Sequence, residues 1–273
     1  MIPASFDYVR ADSVPEAISA LAEHGEDAKL IAGGHSLLPL MKLRLATPSV
    51  LVDMARVPDL SYVRDEGDHI AIGSLTRHHD VNHDPVLGQH VPLLAHVAGK
   101  VGDPQVRHRG TIGGSIAHGD PASDLPAAVL ALGGTMVARG PNGDRSIPAA
   151  EFFRGFLETA LAPDEVLTEI RVPKAAAGHA YQKFVRRSQD WAIVGVAVAR
   201  SNGTTGVSLV NMAPVPLRAT AVEAALAQGA SAAEAAEQAA EGTDPTGDHN
   251  ASPEFRRHLA RVLTRRALQE AGL

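Results

Sequence analysis

Two short glycine-containing segments decide how this sequence is interpreted. The first is Leu30-Ile31-Ala32-Gly33-Gly34-His35-Ser36-Leu37, and the second is Thr111-Ile112-Gly113-Gly114-Ser115-Ile116-Ala117-His118. Each places two adjacent glycines where backbone N–H groups can point outward, because glycine reaches positive φ and lets an anion approach the chain closely. The hydroxyls of Ser36, Thr111 and Ser115 add hydrogen-bond donors. Two such turns could grip the two phosphates of one dinucleotide from opposite sides.

Neither glycine pair is specific by itself. Tight turns without any ligand are the alternative for each pair taken alone. Neither segment matches the Gly-x-Gly-x-x-Gly pattern of the Rossmann fold or the pattern of a P-loop, so both of those nucleotide-binding motifs are excluded. Other features of the chain have to decide whether a ligand is bound.

The composition is that of an ordinary globular protein. Of the 273 residues, 45% are hydrophobic and 21% are charged, and the formal net charge is -6. No basic stripe is present, which argues against nucleic acid as a partner. The chain has no Cys, so another chain must carry any iron–sulfur cluster that is needed. The N-terminus does not have the pattern of a secretory signal, and no apolar run is long enough to span a membrane, so we expect a cytoplasmic protein.

Hydrophobic periodicity and turn residues predict a chain of two parts that mix helices and strands. Residues 1–173 are expected to open with a βαβ-like unit and to continue with further helices and short buried strands. The strands of this part are expected at 28–32, 49–53, 69–73, 135–138 and 166–172. After the small residues at 174–178, three strand-like runs precede Ala-rich helices, which predicts an antiparallel meander covered by helices.

Four motifs in this order carry a resemblance to a known family. They are Ala32-Gly33-Gly34-His35-Ser36-Leu37-Leu38-Pro39, Thr111-Ile112-Gly113-Gly114-Ser115, Asp120-Pro121-Ala122-Ser123-Asp124-Leu125-Pro126 and Arg186-Arg187-Ser188-Gln189-Asp190-Trp191-Ala192. Over nearly its whole length the chain closely resembles the FAD-binding medium subunit of the molybdenum hydroxylases, the family of xanthine dehydrogenase and aerobic carbon monoxide dehydrogenase. The resemblance implies an α+β fold. It comprises a two-lobed FAD-binding domain like that of p-cresol methylhydroxylase over 1–173 and a small α+β flavoprotein domain with an antiparallel sheet over 174–273.

The resemblance also implies which residues bind FAD. Both glycine turns are expected to hold the pyrophosphate, and Asp124 is expected to bond a sugar hydroxyl of the cofactor. Lys183 is expected near the flavin, where a cation would favour the anionic reduced ring. Many relatives have Asn where this chain has Ser115. The expected cofactor-binding residues are Ile31, Ala32, Gly33, Gly34, His35, Ser36, Leu37, Thr111, Ile112, Gly113, Gly114, Ser115, His118, Asp124, Leu167, Lys183 and Trp191.

Three of these residues have simpler interpretations when the resemblance is set aside. Lys183 could be an exposed strand lysine, Trp191 a core aromatic, and Asp124 a helix cap, a role it might fill in addition to binding the cofactor. His78, His79 and His83 lie close together, and the spacing from His79 to His83 suits a metal site. No Cys and no acidic residue at matching spacing support a metal, so we expect these histidines to face solvent.

The resemblance implies that the chain relays electrons and carries no catalytic residue of its own. Electrons would leave a molybdenum cofactor on a large subunit, cross two-iron clusters on a small subunit, and reach the FAD for delivery to an external acceptor such as a quinone. The Gly-Gly-His-Ser turn and Gln189-Asp190-Trp191 are most similar to the carbon monoxide dehydrogenase branch. A dimer of heterotrimers is expected.

Three other functions stay open from the sequence alone. The chain could be the medium subunit of a xanthine, nicotine or aromatic-compound hydroxylase, because this subunit does not touch the substrate. It could be a self-contained flavin oxidase with FAD linked covalently to His35, although it is short for an added substrate domain. It could also be a structural subunit that has lost its cofactor, which the presence of both glycine turns argues against.

Overall fold

A three-stranded parallel sheet forms the first lobe of the structure. The structure is a computed structural model that describes residues 2–201 and 203–273. In chain order the lobe contains β1 (Asp7–Arg10), α1 (Val14–His24), β2 (Ala28–Ile31), α2 (Leu37–Lys42) and β3 (Val50–Asp53). The strand order is β1-β3-β2, and both pairings are parallel. α1 begins after Ser13, whose Oγ accepts the N–H of Glu16. Its apolar face covers the sheet, as expected for a βαβ unit.

A five-stranded antiparallel sheet with helices on one side forms the second lobe. Its elements are β4 (Val63–Asp65), β5 (His69–Gly73), α3 (His78–His83), α4 (Pro85–His90), α5 (Pro92–Gly99), α6 (Pro104–Arg109), α7 (Ile112–His118), α8 (Asp124–Ala131), β6 (Thr135–Gly140), β7 (Gly143–Pro148), α9 (Ala149–Phe152), β8 (Phe153–Gly155), β9 (Glu158–Thr159) and β10 (Val166–Pro173). The strand order is β4-β5-β10-β6-β7, so β10, the last strand of this lobe in the chain, occupies the centre of the sheet. Pro141 and Asn142 make the turn between β6 and β7, within the hairpin turn that the sequence predicts at 141–144.

A four-stranded antiparallel sheet and its helices form the last part of the chain. Its elements are β11 (Gly178–Phe184), β12 (Val194–Ser201), β13 (Thr204–Val210), β14 (Leu217–Arg218), α10 (Thr220–Ala227), α11 (Ala232–Ala236) and α12 (Pro253–Glu270). The strand order is β11-β12-β13-β14. Alternate residues of β12 serve two cores, because Val196 packs with α12 whereas Ala197 packs with the second lobe. This double burial explains why the strand is apolar throughout.

The elements agree with most of the sequence predictions. The meander, the following helices and the strands expected in the first part are all present. One prediction is wrong in detail: Gly113 and Gly114 do not form a turn but lie in the first turn of α7, which Thr111 caps. Residues 174–177, between β10 and β11, form neither helix nor strand. Of the helices in the described ranges, none has the length and apolar character needed to cross a membrane.

Candidate functional site

The two glycine segments lie against each other. Gly33 contacts the backbone of the residues that immediately precede the second segment, and a Cβ added to Gly33 would lie 2.8 Å from the Cα of Gly110. Gly110 in turn packs on the ring of His78, because a Cβ on Gly110 would lie 2.8 Å from the imidazole Nε2. The fold therefore brings the two segments together through close backbone packing, in which glycine is needed for its lack of a side chain.

The second segment is fixed by the chain that follows β5. The N–H of Gly113 donates to the carbonyl of Ser74 at 2.9 Å, and the N–H of Ile112 donates to the carbonyl of Thr76 at 2.9 Å. A Cβ on Gly113 would lie 2.5 Å from the Cβ of Ser74. At Gly113, as at Gly33, neighbouring protein atoms occupy the space that a side chain would need.

The two segments differ in the hydrogen-bond donors that they leave free. Within the described residues, no backbone N–H of residues 33–37 donates a hydrogen bond. In the second segment, the N–H of Gly114 donates to Thr111 Oγ1 at 3.1 Å and that of Ser115 donates to the Thr111 carbonyl at 3.1 Å. The expectation that both segments present free N–H groups is therefore met by the first segment and is wrong for residues 112–115. An anion would be bound mainly by the first segment, with the hydroxyls of the second nearby.

The stretches of chain that contain the two glycine segments are rich in positive charge. Gly114 is exposed, and a Cβ there would meet only the Oγ1 of Thr111 in its own helix cap. Residues 28–52 and 104–119 contain no Asp or Glu. The same two stretches contain the cations Lys29, Lys42, Arg44, Arg107 and Arg109. Free N–H groups, an exposed glycine and locally unopposed cations together fit a diphosphate.

Asp124 and Lys183 form a buried ion pair that joins α8 to β11. Lys183 Nζ donates to Asp124 Oδ2 at 2.8 Å and to the carbonyl of Lys100 at 3.1 Å, while the Tyr181 hydroxyl donates to Asp124 Oδ1. Burial raises the pKa of the Asp124 carboxyl, and the Lys183 ammonium opposes that rise. Burial likewise raises the pKa of Tyr181 well above its usual value. The exposed-lysine interpretation of Lys183 is therefore wrong, and its charge is balanced by Asp124.

A cavity of about 440 Å³ opens beside Lys183. None of its lining residues comes from either glycine segment. The residues that line it are His96, Lys100, Tyr181, Gln182, Lys183, Val185, Ser188, Gln189, Asp190 and Glu270. Trp191 follows this lining in the chain, and 59% of its surface is exposed. The alternative of Trp191 as a core aromatic is therefore wrong, and an exposed indole can pack on a planar ligand.

Two further expected site residues, Ile112 and His118, belong to the second glycine segment, and a third, Leu167, lies near it. Leu167 is buried in β10, and the carbonyl of the next residue, Thr168, accepts the N–H of Ser74 at 3.0 Å. His118 ends α7 and is half-buried, and burial lowers the pKa of its imidazole. Ile112 is fully buried and its N–H donates to the carbonyl of Thr76, so its side chain and its N–H both make contacts within the protein.

Two buried polar residues beside the glycine segments, Ser74 and His78, were not predicted from the sequence as site residues. Ser74 Oγ and His78 Nδ1 have no hydrogen-bond partner in the described part of the chain. Burial lowers the pKa of His78 to about 4, and the nearby His35 and Arg107 add to the shift. The prediction that His78 faces solvent is wrong, although His79 is exposed as predicted. The sequence does contain a pattern that could have identified them, because polar residues at 74, 76 and 78 are spaced by two after β5.

The histidines near His78 do not assemble a metal site. The rings of His79 and His83 lie 4.3 Å apart on the exposed side of α3. Among the residues that the structure describes, no group of three or more His, Cys, Asp or Glu side chains is arranged to hold a metal ion. The two rings, tilted by 35° to each other, therefore form a pair on the surface of α3.

Two family models together match almost the entire chain. The model described as the FAD binding domain in molybdopterin dehydrogenase matches residues 4–175, and the one described as the CO dehydrogenase flavoprotein C-terminal domain matches residues 179–271. The chain belongs to the FAD-binding medium subunits of the molybdenum hydroxylases. Members of this family bind FAD, and the free donors of the first glycine segment, with cations close to it in the chain, fit its pyrophosphate.

Individual relatives agree with the family over the full length. The carbon monoxide dehydrogenase medium chain of Hydrogenophaga pseudoflava is 43% identical, with 99% of this chain and 98% of the relative covered. The 6-hydroxypseudooxynicotine dehydrogenase complex subunit alpha of Paenarthrobacter nicotinovorans is 38% identical over 99% of this chain and 96% of its own. The structure of carbon monoxide dehydrogenase from Hydrogenophaga pseudoflava, which lacks the Mo-pyranopterin moiety, superposes with a TM-score of 0.96 at 45% identity, covering 99% of this chain and 98% of its own.

These comparisons confirm the family, the fold and the cofactor expected from the motifs. The two-lobed FAD-binding domain and the C-terminal flavoprotein domain are both present, and the relatives belong to oxidoreductase complexes. The chain is a medium FAD subunit of the molybdenum hydroxylases and is most like those of carbon monoxide dehydrogenase.

Proposed function

We propose that this chain is the electron-transfer subunit of a carbon monoxide dehydrogenase. It takes electrons from the two-iron clusters of a small partner subunit and passes them to an external acceptor such as a quinone. A large partner subunit holds the molybdenum cofactor and performs the substrate chemistry. The observation that carries this proposal is the full-length similarity to the carbon monoxide dehydrogenase medium chain of Hydrogenophaga pseudoflava.

The composition of the chain supports the division of labour. FAD, when bound, supplies redox chemistry that accepts and delivers electrons singly or in pairs. The chain contains no Cys, so the clusters that deliver electrons belong to another subunit. We propose an assembly of two copies of each of the three subunits, located in the cytoplasm.

We propose that the residues expected from the motifs form the FAD site, with roles refined by their geometry. The free N–H groups of residues 33–37 hold the pyrophosphate, and the hydroxyls of Ser36, Thr111 and Ser115 add donors. Asp124 accepts from a sugar hydroxyl through lone pairs that Tyr181 and Lys183 leave free. Trp191 excludes water from one side of the flavin. The C-terminal domain, over 174–273, thereby closes on a cofactor whose phosphates the first domain, over 1–173, already holds.

Purification of the intact complex from its native source tests the proposal. The complex should contain molybdenum, iron and FAD, and carbon monoxide should reduce its flavin. Its mass should be well above the 28.5 kDa of this chain, with two other chains co-eluting. A stable FAD-containing monomer without iron and molybdenum would contradict the proposal.

A second candidate function differs only in the substrate of the large subunit. The similarity to the 6-hydroxypseudooxynicotine dehydrogenase subunit, at 38% identity, favours a hydroxylase of nitrogen heterocycles as the runner-up. Reduction of the flavin by such a heterocycle, and not by carbon monoxide, would select it. Denaturation separates the flavin-oxidase alternative, because a non-covalent FAD is released whereas a flavin linked to His35 stays with the chain.

A further inference from the structure

Each of the three tyrosines in the chain donates its hydroxyl to a carboxylate, and one of these pairs is buried beside a cavity. Tyr181 differs from Tyr8 and Tyr62 because only 4% of its surface is exposed, and its acceptor Asp124 is buried to a similar degree, at 6%. Tyr181 also lines the cavity beside Lys183. This tyrosine therefore combines a ring held in the core with a polar contact at the edge of the candidate site.

Strand β11 brings two donors to the same carboxylate. Tyr181 and Lys183 are two residues apart in β11, so their side chains leave the same face of the strand. Tyr181 donates to Oδ1 of Asp124 and Lys183 donates to Oδ2, so each oxygen has one donor and keeps a further lone pair free. Small residues of β12 make room for the tyrosine, because Ala197 pairs with Tyr181 and a Cβ on Gly195 would lie 3.0 Å from its hydroxyl oxygen. The sheet therefore leaves space for the hydroxyl at this point.

Stability alone does not account for a buried carboxylate with two side-chain donors. Burial of an ion pair costs roughly as much as the attraction returns, and apolar residues of similar volume often stabilise a fold equally well. Asp124 begins α8, but among the described residues its hydrogen-bond donors are Tyr181 and Lys183, so its side chain does not cap that helix. A few fixed polar groups beside a cavity are typical of a ligand site. The arrangement therefore points to a role in binding.

We propose that Tyr181 is a positioning residue that orients Asp124 for its hydrogen bond to the sugar of FAD. This inference rests on the proposed function, in which Asp124 accepts from a sugar hydroxyl, and it adds a residue that the sequence motifs do not identify. The terminal torsion of an aspartate is broad, so Lys183 alone would leave the plane of the carboxylate free to turn. A second donor on the other oxygen fixes that plane. Loss of the hydroxyl should therefore weaken FAD binding, although Tyr181 acts only through Asp124.

Removal of the hydroxyl tests the inference, because Tyr181→Phe keeps the buried ring. Flavin fluorescence measures the FAD affinity of the full chain, which should fall about tenfold through the loss of one hydrogen bond to a charged group. The matched control is Tyr62→Phe, which also removes a hydroxyl bonded to a carboxylate and should leave FAD affinity unchanged. Urea unfolding of both variants separates a loss of stability from a loss of binding.

The pH dependence of FAD binding provides a second measurement, which does not depend on any change at Asp124. The Tyr181 hydroxyl favours the ionised carboxylate, so its loss raises the pKa of Asp124, and the FAD affinity of Tyr181→Phe should decline at a higher pH than that of the unaltered chain. Burial, Lys183 and Tyr181 are the causes that shift this pKa. The other charged or titratable side chains on the elements around α8 do not shift it; they are His96, Lys100, His118, Asp120, Glu151, His179, Arg200 and Arg218.

A double-mutant cycle decides whether Tyr181 acts through Asp124. In a chain that already carries Asp124→Ala, the change Tyr181→Phe should alter FAD affinity by less than about twofold, because the residue that it positions is absent. A tenfold loss in both backgrounds would overturn the inference, since Tyr181 would then support the fold or bind FAD by itself. Unchanged affinity and a coincident pH profile in Tyr181→Phe would overturn it as well, even if Asp124→Ala does not fold. Failure of the unaltered chain to bind FAD would instead contradict the proposed function.

Discussion

At the scale of single residues, the candidate site depends on side chains that gain their properties from burial. Asp124 and Lys183 come from different parts of the chain, yet they form a pair that is nearly closed to solvent, with 7% and 11% of their side chains exposed. A lone lysine beside a flavin would present a positive charge, but this pair presents almost none. The effect that we propose for Lys183 on bound FAD therefore depends on Asp124.

Breaking the buried pair should destabilise the chain strongly. Lys183→Met leaves Asp124 buried with Tyr181 as its remaining side-chain partner, and we expect a loss of about 3–5 kcal/mol in the free energy of unfolding. Asp124→Asn/Lys183→Met should cost less than the sum of the two single changes. Urea unfolding of the four proteins measures the cycle. Arg139→Ala, which breaks the exposed pair with Asp144, should cost no more than about 1 kcal/mol. Equal losses at both pairs would contradict the buried-pair argument.

The same pair should set the reduction potential of bound FAD. Asp124→Asn leaves the Lys183 ammonium without its counter-charge, so the potential should rise, whereas Lys183→Met should lower it. A redox titration detects either change, because about 30 mV corresponds to about 1.4 kcal/mol for a two-electron couple. Identical potentials in both variants and in the unaltered chain, with FAD still bound, would show that the pair does not reach the flavin.

His78 should make the stability of the chain depend on pH in the acid range. Its pKa is about 4 in the folded chain, against 6.5 for an unperturbed histidine, so the unfolded chain binds the proton first. Stability should therefore fall as the pH drops from about 6.5 to about 4, by about 3 kcal/mol from this residue, and should gain nothing from it above that range. Thermal unfolding of the unaltered chain and of His78→Gln across this range isolates the effect. Parallel curves for the two proteins would refute it.

At the scale of elements, the first turn of α7 combines packing with access for a ligand. Gly113 faces inward against Ser74, whereas its neighbour Gly114 is exposed. Replacing Gly33 or Gly113 therefore tests folding as much as binding, because a side chain at either position collides with protein backbone. Gly114 is the position at which a side chain can interfere with a ligand while the fold is kept.

A methyl group at Gly114 should impair FAD binding without unfolding the chain. Gly114→Ala places its Cβ on the exposed surface of α7, 2.9 Å from the Thr111 Oγ1 that caps the helix, so the Thr111 side chain has to shift slightly. We expect FAD affinity to fall about tenfold, equivalent to about 1.4 kcal/mol, and urea unfolding checks that the chain stays folded. The matched control is Gly88→Ala in α4, where a Cβ meets nothing within 4 Å. That change should leave FAD binding unaltered and stabilise the helix slightly. FAD titration by fluorescence measures both. Unchanged affinity in Gly114→Ala would place the cofactor elsewhere.

At the scale of the whole molecule, the cofactor is expected to link the two domains. The proposed pyrophosphate donors lie in the first domain, whereas Lys183 and Trp191 lie in the second, and the cavity beside Lys183 is lined by residues of both. FAD that contacts both should stabilise the entire chain, by about 2.7 kcal/mol at a free concentration 100 times its Kd.

Trp191 provides a direct readout of this linkage. It is the only Trp in the chain and it is exposed by 59%, so its emission reports on one known position. Binding of FAD should cover the indole and quench its fluorescence, with the same Kd that flavin fluorescence gives. Trp191→Ala should weaken FAD binding by about 1–2 kcal/mol through the lost ring packing. Full Trp emission in a chain saturated with FAD would show that Trp191 lies away from the flavin.

The amino-acid sequence alone determined the local elements and the family. Periodicity and turn residues predicted the meander and its helices, because each of these signals lies within one short stretch of chain. The two glycine segments and the motifs around Asp124 and Trp191 predicted the family, and the absence of Cys assigned the clusters to another subunit. The assignment of individual residues to the cofactor, and the domain boundary at 173–174, stay predictions.

The tertiary structure alone decided which groups of the site are free and which are engaged. The donors of residues 112–115 are satisfied in part by Ser74 and Thr76, and those of residues 33–37 are left open, although both segments contain the same glycine pair. Asp124 and Lys183 are 59 residues apart, and their pairing arises only when the sheet that contains β11 packs on α8 through β12 and β13. Hydrogen-bond satisfaction and burial depend on neighbours that are distant in sequence, so no local pattern in the chain encodes them.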